Sequence, residues 1–120
     1  MIKNKTGAFG ENYAARYLRD NNFDIISANF RTKMGEIDLI AEKRNTLHFV
    51  EVKARGPEHW FRPAEAVDEN KQRRIILTAE VFLKIYKTNK KISFDIIEIT
   101  VDENNGLESL NFIENAFESK

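Results

Sequence analysis

Asp38, Glu51 and Lys53 are the residues of this 120-residue chain best placed to do chemistry. Asp38 sits in the run Gly35-Glu36-Ile37-Asp38-Leu39-Ile40, and the other two sit in His48-Phe49-Val50-Glu51-Val52-Lys53. In each run apolar or β-branched residues alternate with others, which predicts a strand. Alternate side chains of a strand share a face. Glu36, Asp38 and Ile40 then share one face of the first strand, and Leu47, Phe49, Glu51 and Lys53 one face of the second. Between them Glu42-Lys43-Arg44-Asn45-Thr46 is polar and short enough for a hairpin. A two-residue loop at Arg44-Asn45 pairs Lys43 with Thr46, sets Ile40 opposite Phe49 and sets Asp38 opposite Glu51. A slip of two residues keeps these faces together, and a slip of one separates them. The loop lacks the glycine that two-residue turns favour.

Two carboxylates opposed at about 5 Å repel by roughly 3 kcal/mol at an effective dielectric of about 20. Protonation, a nearby ammonium or a divalent cation relieves such a pair. Lys53 supplies one positive charge, which does not neutralise both acids. A hard cation such as Mg²⁺ takes one or two carboxylates, with water and substrate phosphates completing its shell, and Asp38, Glu51 and Lys53 match that demand. The bland alternative is an exposed hairpin that alternates charges outward, since charged faces are usually solvated. Leu47 and Phe49, on the Glu51 face, speak against it.

Elements that must position these residues follow from the pattern. Residues 7–22 read as a helix, with Phe9, Tyr13, Ala14, Tyr17 and Leu18 near helical spacing and Asn21-Asn22 at its end. Glu11 lies on or beside the inward stripe, three, four and seven residues before Ala14, Ala15 and Leu18. An acid in a first turn also suits the helix dipole, and both readings of Glu11 stand. Residues 23–30 read as a strand and 31–35 as a turn. Residues 55–66 form the longest irregular stretch. Its Trp60, beside Arg55 and Arg62, suits stacking on a nucleic acid or simply anchors a long loop. From Asp68, the expected N-cap, a second helix runs to about Tyr86 on a stripe of Val67, Ile75, Ile76, Ala79, Phe82 and Leu83. Lys71, Gln72, Arg73 and Arg74 occupy its first turns, and most of them read as solvated. Residues 91–101 read as a strand, and Asn104-Asn105-Gly106 as a turn. Residues 107–117 are weakly patterned and suggest a short strand with a fraying end. The order α-β-β-β-α-β predicts an α/β fold, a mixed β-sheet flanked by helices. The strand after the second helix pairs in parallel through a crossover.

Composition narrows the class. The length suits one domain, 1–120, and the chain is 42% hydrophobic and 32% charged, with no cysteine. Disulfides, zinc–thiolate sites and thiol nucleophiles are excluded. No apolar run reaches the length of a membrane span, and the first ten residues lack the apolar stretch of a signal peptide. A soluble, cytoplasmic protein without a membrane partner is expected. Net charge is zero, but it is unevenly spread. Residues 1–35 carry +3, 36–50 carry −1, 51–91 carry +4 and 92–120 carry −6. Phosphate binding needs a local basic surface rather than a basic average, and the acidic C-terminal region conceals a basic body.

Several segments together resemble the bacterial YraN-like (UPF0102) family, over nearly the whole chain. They are Gly7-Ala8-Phe9-Gly10-Glu11 with Ala14-Ala15 and Leu18, Asn29-Phe30-Arg31, and Gly35-Glu36-Ile37-Asp38-Leu39-Ile40. Phe49-Val50-Glu51-Val52-Lys53-Ala54-Arg55, Ala64-Glu65-Ala66-Val67, Lys71-Gln72-Arg73-Arg74-Ile75, Phe94-Asp95 and Ile113-Glu114-Asn115-Ala116-Phe117 complete them. That family is regarded as distantly related to archaeal Holliday-junction resolvases, within the restriction-endonuclease-like superfamily. The superfamily signature is an Asp, then Glu-x-Lys on the next strand, often with a Glu from the first helix. Asp38, Glu51, Lys53 and Glu11 match it, and Ile37 stands where many members have Pro. Gln72 is a candidate match to a helix glutamine that some relatives use near the site.

The resemblance implies a restriction-endonuclease-like fold and metal-assisted hydrolysis of DNA phosphodiesters, on branched or damaged DNA. Asp38 and Glu51 would hold Mg²⁺ or Mn²⁺, with Glu11 as a further ligand directly or through water and the Val52 carbonyl as another. Lys53 would orient the attacking water or stabilise developing charge. Lys33, Arg55, Arg62, Lys71, Arg73 and Arg74 would hold the DNA backbone. Action on branched DNA favours a homodimer, because so short a chain hardly spans a junction. Two other readings remain open: a nucleic-acid-binding module with little or no cleavage, and an interaction protein that docks a partner through residues 92–120. His48, on the face opposite Glu51, and His59, in the loop, are poorly placed as general bases.

Overall fold

A computed structural model describes residues 5–57 and 67–119, with side chains from residue 9 onward. The elements are α1 (Lys5–Asp20), β1 (Asp24–Thr32), β2 (Gly35–Lys43), β3 (Thr46–Arg55), α2 (Glu69–Ile85), β4 (Lys91–Val101) and β5 (Leu107–Phe117). They form an α/β domain with one five-stranded sheet in the order β1-β2-β3-β4-β5. Neighbours pair antiparallel except β3 and β4, which are parallel and joined through α2. Among the described residues no helix is long and apolar enough to cross a membrane.

The period-2 pattern explains the two cores. Alternate residues of the strands face opposite helices, so each side of the sheet buries its own set. On one side α1 places Ala14 and Leu18 against Leu39, Ala41, Val50, Ile97 and Ile99. On the other, α2 places Ile75, Ala79 and Phe82 against Ile40, Leu47, Phe49 and Phe94. The N-cap expected at Asp68 is present, its side chain accepting the Lys71 N–H. The two-residue loop expected at Arg44-Asn45 is also present. Lys43 pairs with Thr46 and Ile40 with Phe49, and Arg44 takes φ 56 in place of the missing glycine.

Two expectations need correction. β1 runs to Thr32 and its turn narrows to Lys33-Met34, because Thr32 pairs with Gly35. Residues 107–117 are not a short, fraying strand. They form an 11-residue edge strand along β4, and two register shifts in that pairing blur the alternation. The acidic stretch from residue 92 supplies β4, the strand expected at 91–101, whose Ile97, Ile99 and Val101 are core, and β5.

His48 is built into this architecture. Its Nδ1 lies 2.6 Å from Asp95 Oδ2, and Asp95 Oδ1 accepts from the Ser93 hydroxyl and from the Asn115 N–H. All three side chains are buried. Asp95 thereby fixes β5 at Asn115, where φ is 55 and the register shifts. A buried carboxylate that accepts from all three partners is satisfied.

Gly10 marks a close approach of α1 to the sheet. A Cβ there would collide with the Ala54 Cβ and touch Val52 Cγ1. Gly→Ala inside a helix normally stabilises by about 1 kcal/mol. Here overpacking reverses the sign, and Gly10→Ala is expected to destabilise by roughly 1–3 kcal/mol. A urea midpoint that rises in the variant contradicts this reading of the interface.

Candidate functional site

The site forms where the sheet forks. β2 and β3 pair from Lys43/Thr46 to Leu39/Val50, and the ladder then stops. β2 continues beside β1 to Gly35, while β3 continues beside β4 to Arg55. The expected cross-strand pair of Asp38 and Glu51 is therefore not a ladder pair. Instead the Val52 N–H donates to Asp38 Oδ2 at 2.8 Å. Alternation also breaks here. Ile37 packs in the α2-side core and Leu39 in the α1-side core, although they are only two residues apart. The face expected to hold Glu36, Asp38 and Ile40 together is interrupted at Asp38.

Both acids are buried, Asp38 at 5% and Glu51 at 6% exposure. Burial and the Asp38 charge push the Glu51 carboxyl from 4.5 up to about 7, against the pull of Lys71 and Lys53. Lys53 shares this environment. Its ammonium is pushed below its ordinary value by burial and by Lys71 alongside, against the attraction of Glu51 and Asp38. Burial alone would also lower Lys71, but its hydrogen bond to Glu51 and the Glu51 charge outweigh that and raise it. Lys71 Nζ lies 2.7 Å from Glu51 Oε2.

Lys71 is the site residue whose role the sequence reading missed. It was grouped with solvated, DNA-facing cations, yet it joins the carboxylates. A signal exists: Lys71, Ile75 and Ala79 are spaced by four, so Lys71 continues the buried stripe of α2. The N-cap at Asp68 sets the phase of that stripe, the Lys71 N–H donating to Asp68 Oδ1 at 2.8 Å.

Glu11 is tied to β1 through Asn29. With its amide oriented to satisfy both partners, Asn29 donates to Glu11 Oε1 at 3.3 Å and Glu36 Oε2 at 2.9 Å. Asn29 lies between the pairs Ala28/Leu39 and Phe30/Ile37, hence across from Asp38. Its φ of 55 breaks the extended backbone of β1 at this point. Among the described residues no three His, Cys, Asp or Glu side chains converge as a metal-ligand set, so Glu11 does not close one with Asp38 and Glu51. The remaining donors still suit a hard cation: two buried carboxylates, one strained by the other, the number such an ion takes alongside water.

The cations are divided. Lys33 is exposed in the β1–β2 turn, and Arg73 and Arg74 are exposed on α2. These two segments touch. Gly35 abuts the Arg74 Cβ, and Thr32 Oγ1 lies 3.4 Å from Thr78 Oγ1. Arg55 is half-buried at the end of β3. Arg62, Trp60 and His59 lie outside the described residues. Gln72 Nε2 donates to the Val67 carbonyl at 2.8 Å and so ties the segment entering α2 to the helix.

Fold and site thus define a mixed α/β domain with an acid–lysine cluster at a strand fork. Residues 10–99 match the model of the uncharacterised protein family UPF0102, and the chain belongs to that family. It is 38% identical over 118 residues to a UPF0102 protein of Caldicellulosiruptor saccharolyticus, covering 98% of this chain and 100% of that one. It is 42% identical over 117 residues to one of Caldanaerobacter subterraneus subsp. tengcongensis, covering 96% of each. A relative from Herminiimonas arsenicoxydans is 40% identical over 113 residues, 94% of this chain and 86% of that protein.

The raised Glu51 carboxyl carries a pH signature. Between pH 4.5 and about 7 the native state keeps a proton that the unfolded chain releases. Stability therefore falls as pH rises through that window, by about 3 kcal/mol from this group. Glu51→Gln is expected to remove that component. Urea unfolding of both proteins across the window checks it, and equal pH slopes count against the assignment.

Proposed function

We propose that this protein is a metal-dependent endonuclease that hydrolyses DNA phosphodiester bonds, with branched or damaged DNA as its substrate class. The observation that carries this reading is the burial of Asp38 and Glu51 together at the fork, beside Lys53 and Lys71. Asp38 and Glu51 would hold Mg²⁺ or Mn²⁺. When bound, such an ion polarises a phosphoryl oxygen and lowers the pKa of a coordinated water.

The chain's own residues do the rest. The Val52 N–H holds Asp38 in place, so one carboxylate is oriented before anything binds. Lys53, half-buried on the same strand as Glu51, meets the negative charge that develops at phosphorus. A partly desolvated ammonium is worth more there than one in water. Glu11 acts at one remove, through Asn29 across from Asp38. Lys33, Arg73 and Arg74 form the exposed basic ridge on which the DNA backbone would lie, and Arg55 and Arg62 are further candidates for backbone contact. Such contacts make binding weaken steeply with salt. Because one 120-residue chain covers little of a junction, action on branched DNA is assigned to a homodimer.

One observation favours a second reading, a nucleic-acid-binding module with little cleavage of its own: Glu11 does not join Asp38 and Glu51 in a ligand set. The experiment that separates the two is cleavage of labelled linear, single-stranded, flapped and four-way DNA in Mg²⁺, Mn²⁺ or EDTA. The nuclease reading expects metal-dependent cutting that drops by about a hundredfold or more in Glu51→Ala and in Lys53→Ala. DNA binding without cutting, equal in wild type and both variants, selects the binding module.

A further inference from the structure

The cluster holds more positive charge than an Asp and a Glu-x-Lys supply, and the surplus is Lys71. Its backbone is fixed, since its N–H donates to the N-cap Asp68 at 2.8 Å. Its side chain is not enclosed: it is 43% exposed, whereas that of Glu51 is 7% exposed. Nζ nevertheless reaches inward to lie 2.7 Å from Glu51 Oε2. An ammonium on a four-carbon stem is a movable point charge. It is held at the carboxylate that, under the reading above, takes a divalent cation.

Two positive charges cannot share that oxygen at low cost. A cation bound to Glu51 stands within a few ångströms of any ammonium left in place, where like charges repel strongly at protein-like dielectric. Lys53 sits within the sheet on the same strand as Glu51. Lys71 comes from a different element and has solvent on one side of its stem, so it is the group able to withdraw.

We propose that Lys71 is the resident counter-ion of Glu51, occupying that carboxylate in the metal-free protein and giving it up to the divalent cation. This rests on the assignment of Asp38 and Glu51 as metal-binding acids. It also sets Lys71 apart from Lys33, Arg73 and Arg74: mutating those three alters DNA affinity alone, whereas mutating Lys71 alters metal affinity in the absence of DNA.

The test is Mn²⁺ binding by titration calorimetry on the full chain without DNA, with circular dichroism to verify folding. Wild type, Lys71→Met, Lys71→Gln, Lys71→Arg and Glu51→Gln are compared. Removing the competing charge is expected to tighten Mn²⁺ binding on the order of tenfold in Lys71→Met and Lys71→Gln. Lys71→Arg, which keeps the charge, stays close to wild type. A residue that merely props the site open moves affinity the other way. Unchanged or weaker Mn²⁺ binding in the Met and Gln variants therefore overturns the proposal, even where wild type binds and Glu51→Gln does not. Absence of Mn²⁺ binding in every protein overturns the metal assignment itself, and this proposal with it.

Discussion

Backbone hydrogen bonding along β3 governs where chemistry can occur in this protein. As the central strand, β3 has a partner on each side, but the two partners do not run equally far. β4 follows it to Arg55, whereas β2 leaves after Leu39/Val50 to remain with β1. An N–H of β3 beyond that point loses its ladder acceptor, and a buried N–H left unpaired costs about 1–3 kcal/mol. Asp38 answers that need by accepting from Val52. The carboxylate is thus structural before it is chemical, and its structural duty places a second negative charge beside Glu51.

The rest of the site responds to that placement. Glu51 is buried on the α2 face next to Asp38, and its carboxyl rises to about 7. Cations are recruited from two directions, Lys53 along the same strand and Lys71 from the helix above. Their proximity has a cost, since Lys71 depresses Lys53. The cluster is one in which every charge is only partly compensated. Such polar groups sit at odds with the apolar packing around Phe49 and Ile40, and departures of this kind from local consistency concentrate at functional sites.

The strands and their shared faces were legible because a period of two survives in short runs. Ile40 facing Phe49 followed from parity and one loop length, and the register at Arg44-Asn45 agrees. Parity failed where the backbone stops being regular. Asn29 at φ 55 and the break between Ile37 and Leu39 are twists that no alternation rule contains. β5 was under-read for a related reason: a bulged edge strand loses phase, and its register depends on Asp95, a residue of another strand. The Asp38, Glu51 and Lys53 grouping could be drawn from sequence because its members sit on adjacent strands. Lys71 could not be singled out from Lys71-Gln72-Arg73-Arg74 by composition, since only the helix phase separates the cation that turns inward from those that face water.

Sheet order in this molecule is the same as chain order, and this turns a gradient along the sequence into a gradient through space. The +4 stretch of residues 51–91 includes α2, which packs over β2 and β1. The −6 stretch of residues 92–120 includes β4 and β5, at the opposite side of the sheet. A protein of zero net charge thereby holds its basic second helix and its acidic edge strand apart across the sheet. In the field of a polyanion such a body feels a torque before it feels a net pull. Under the proposed function, its α2 side would turn toward DNA and its β5 edge away, so orientation would precede contact.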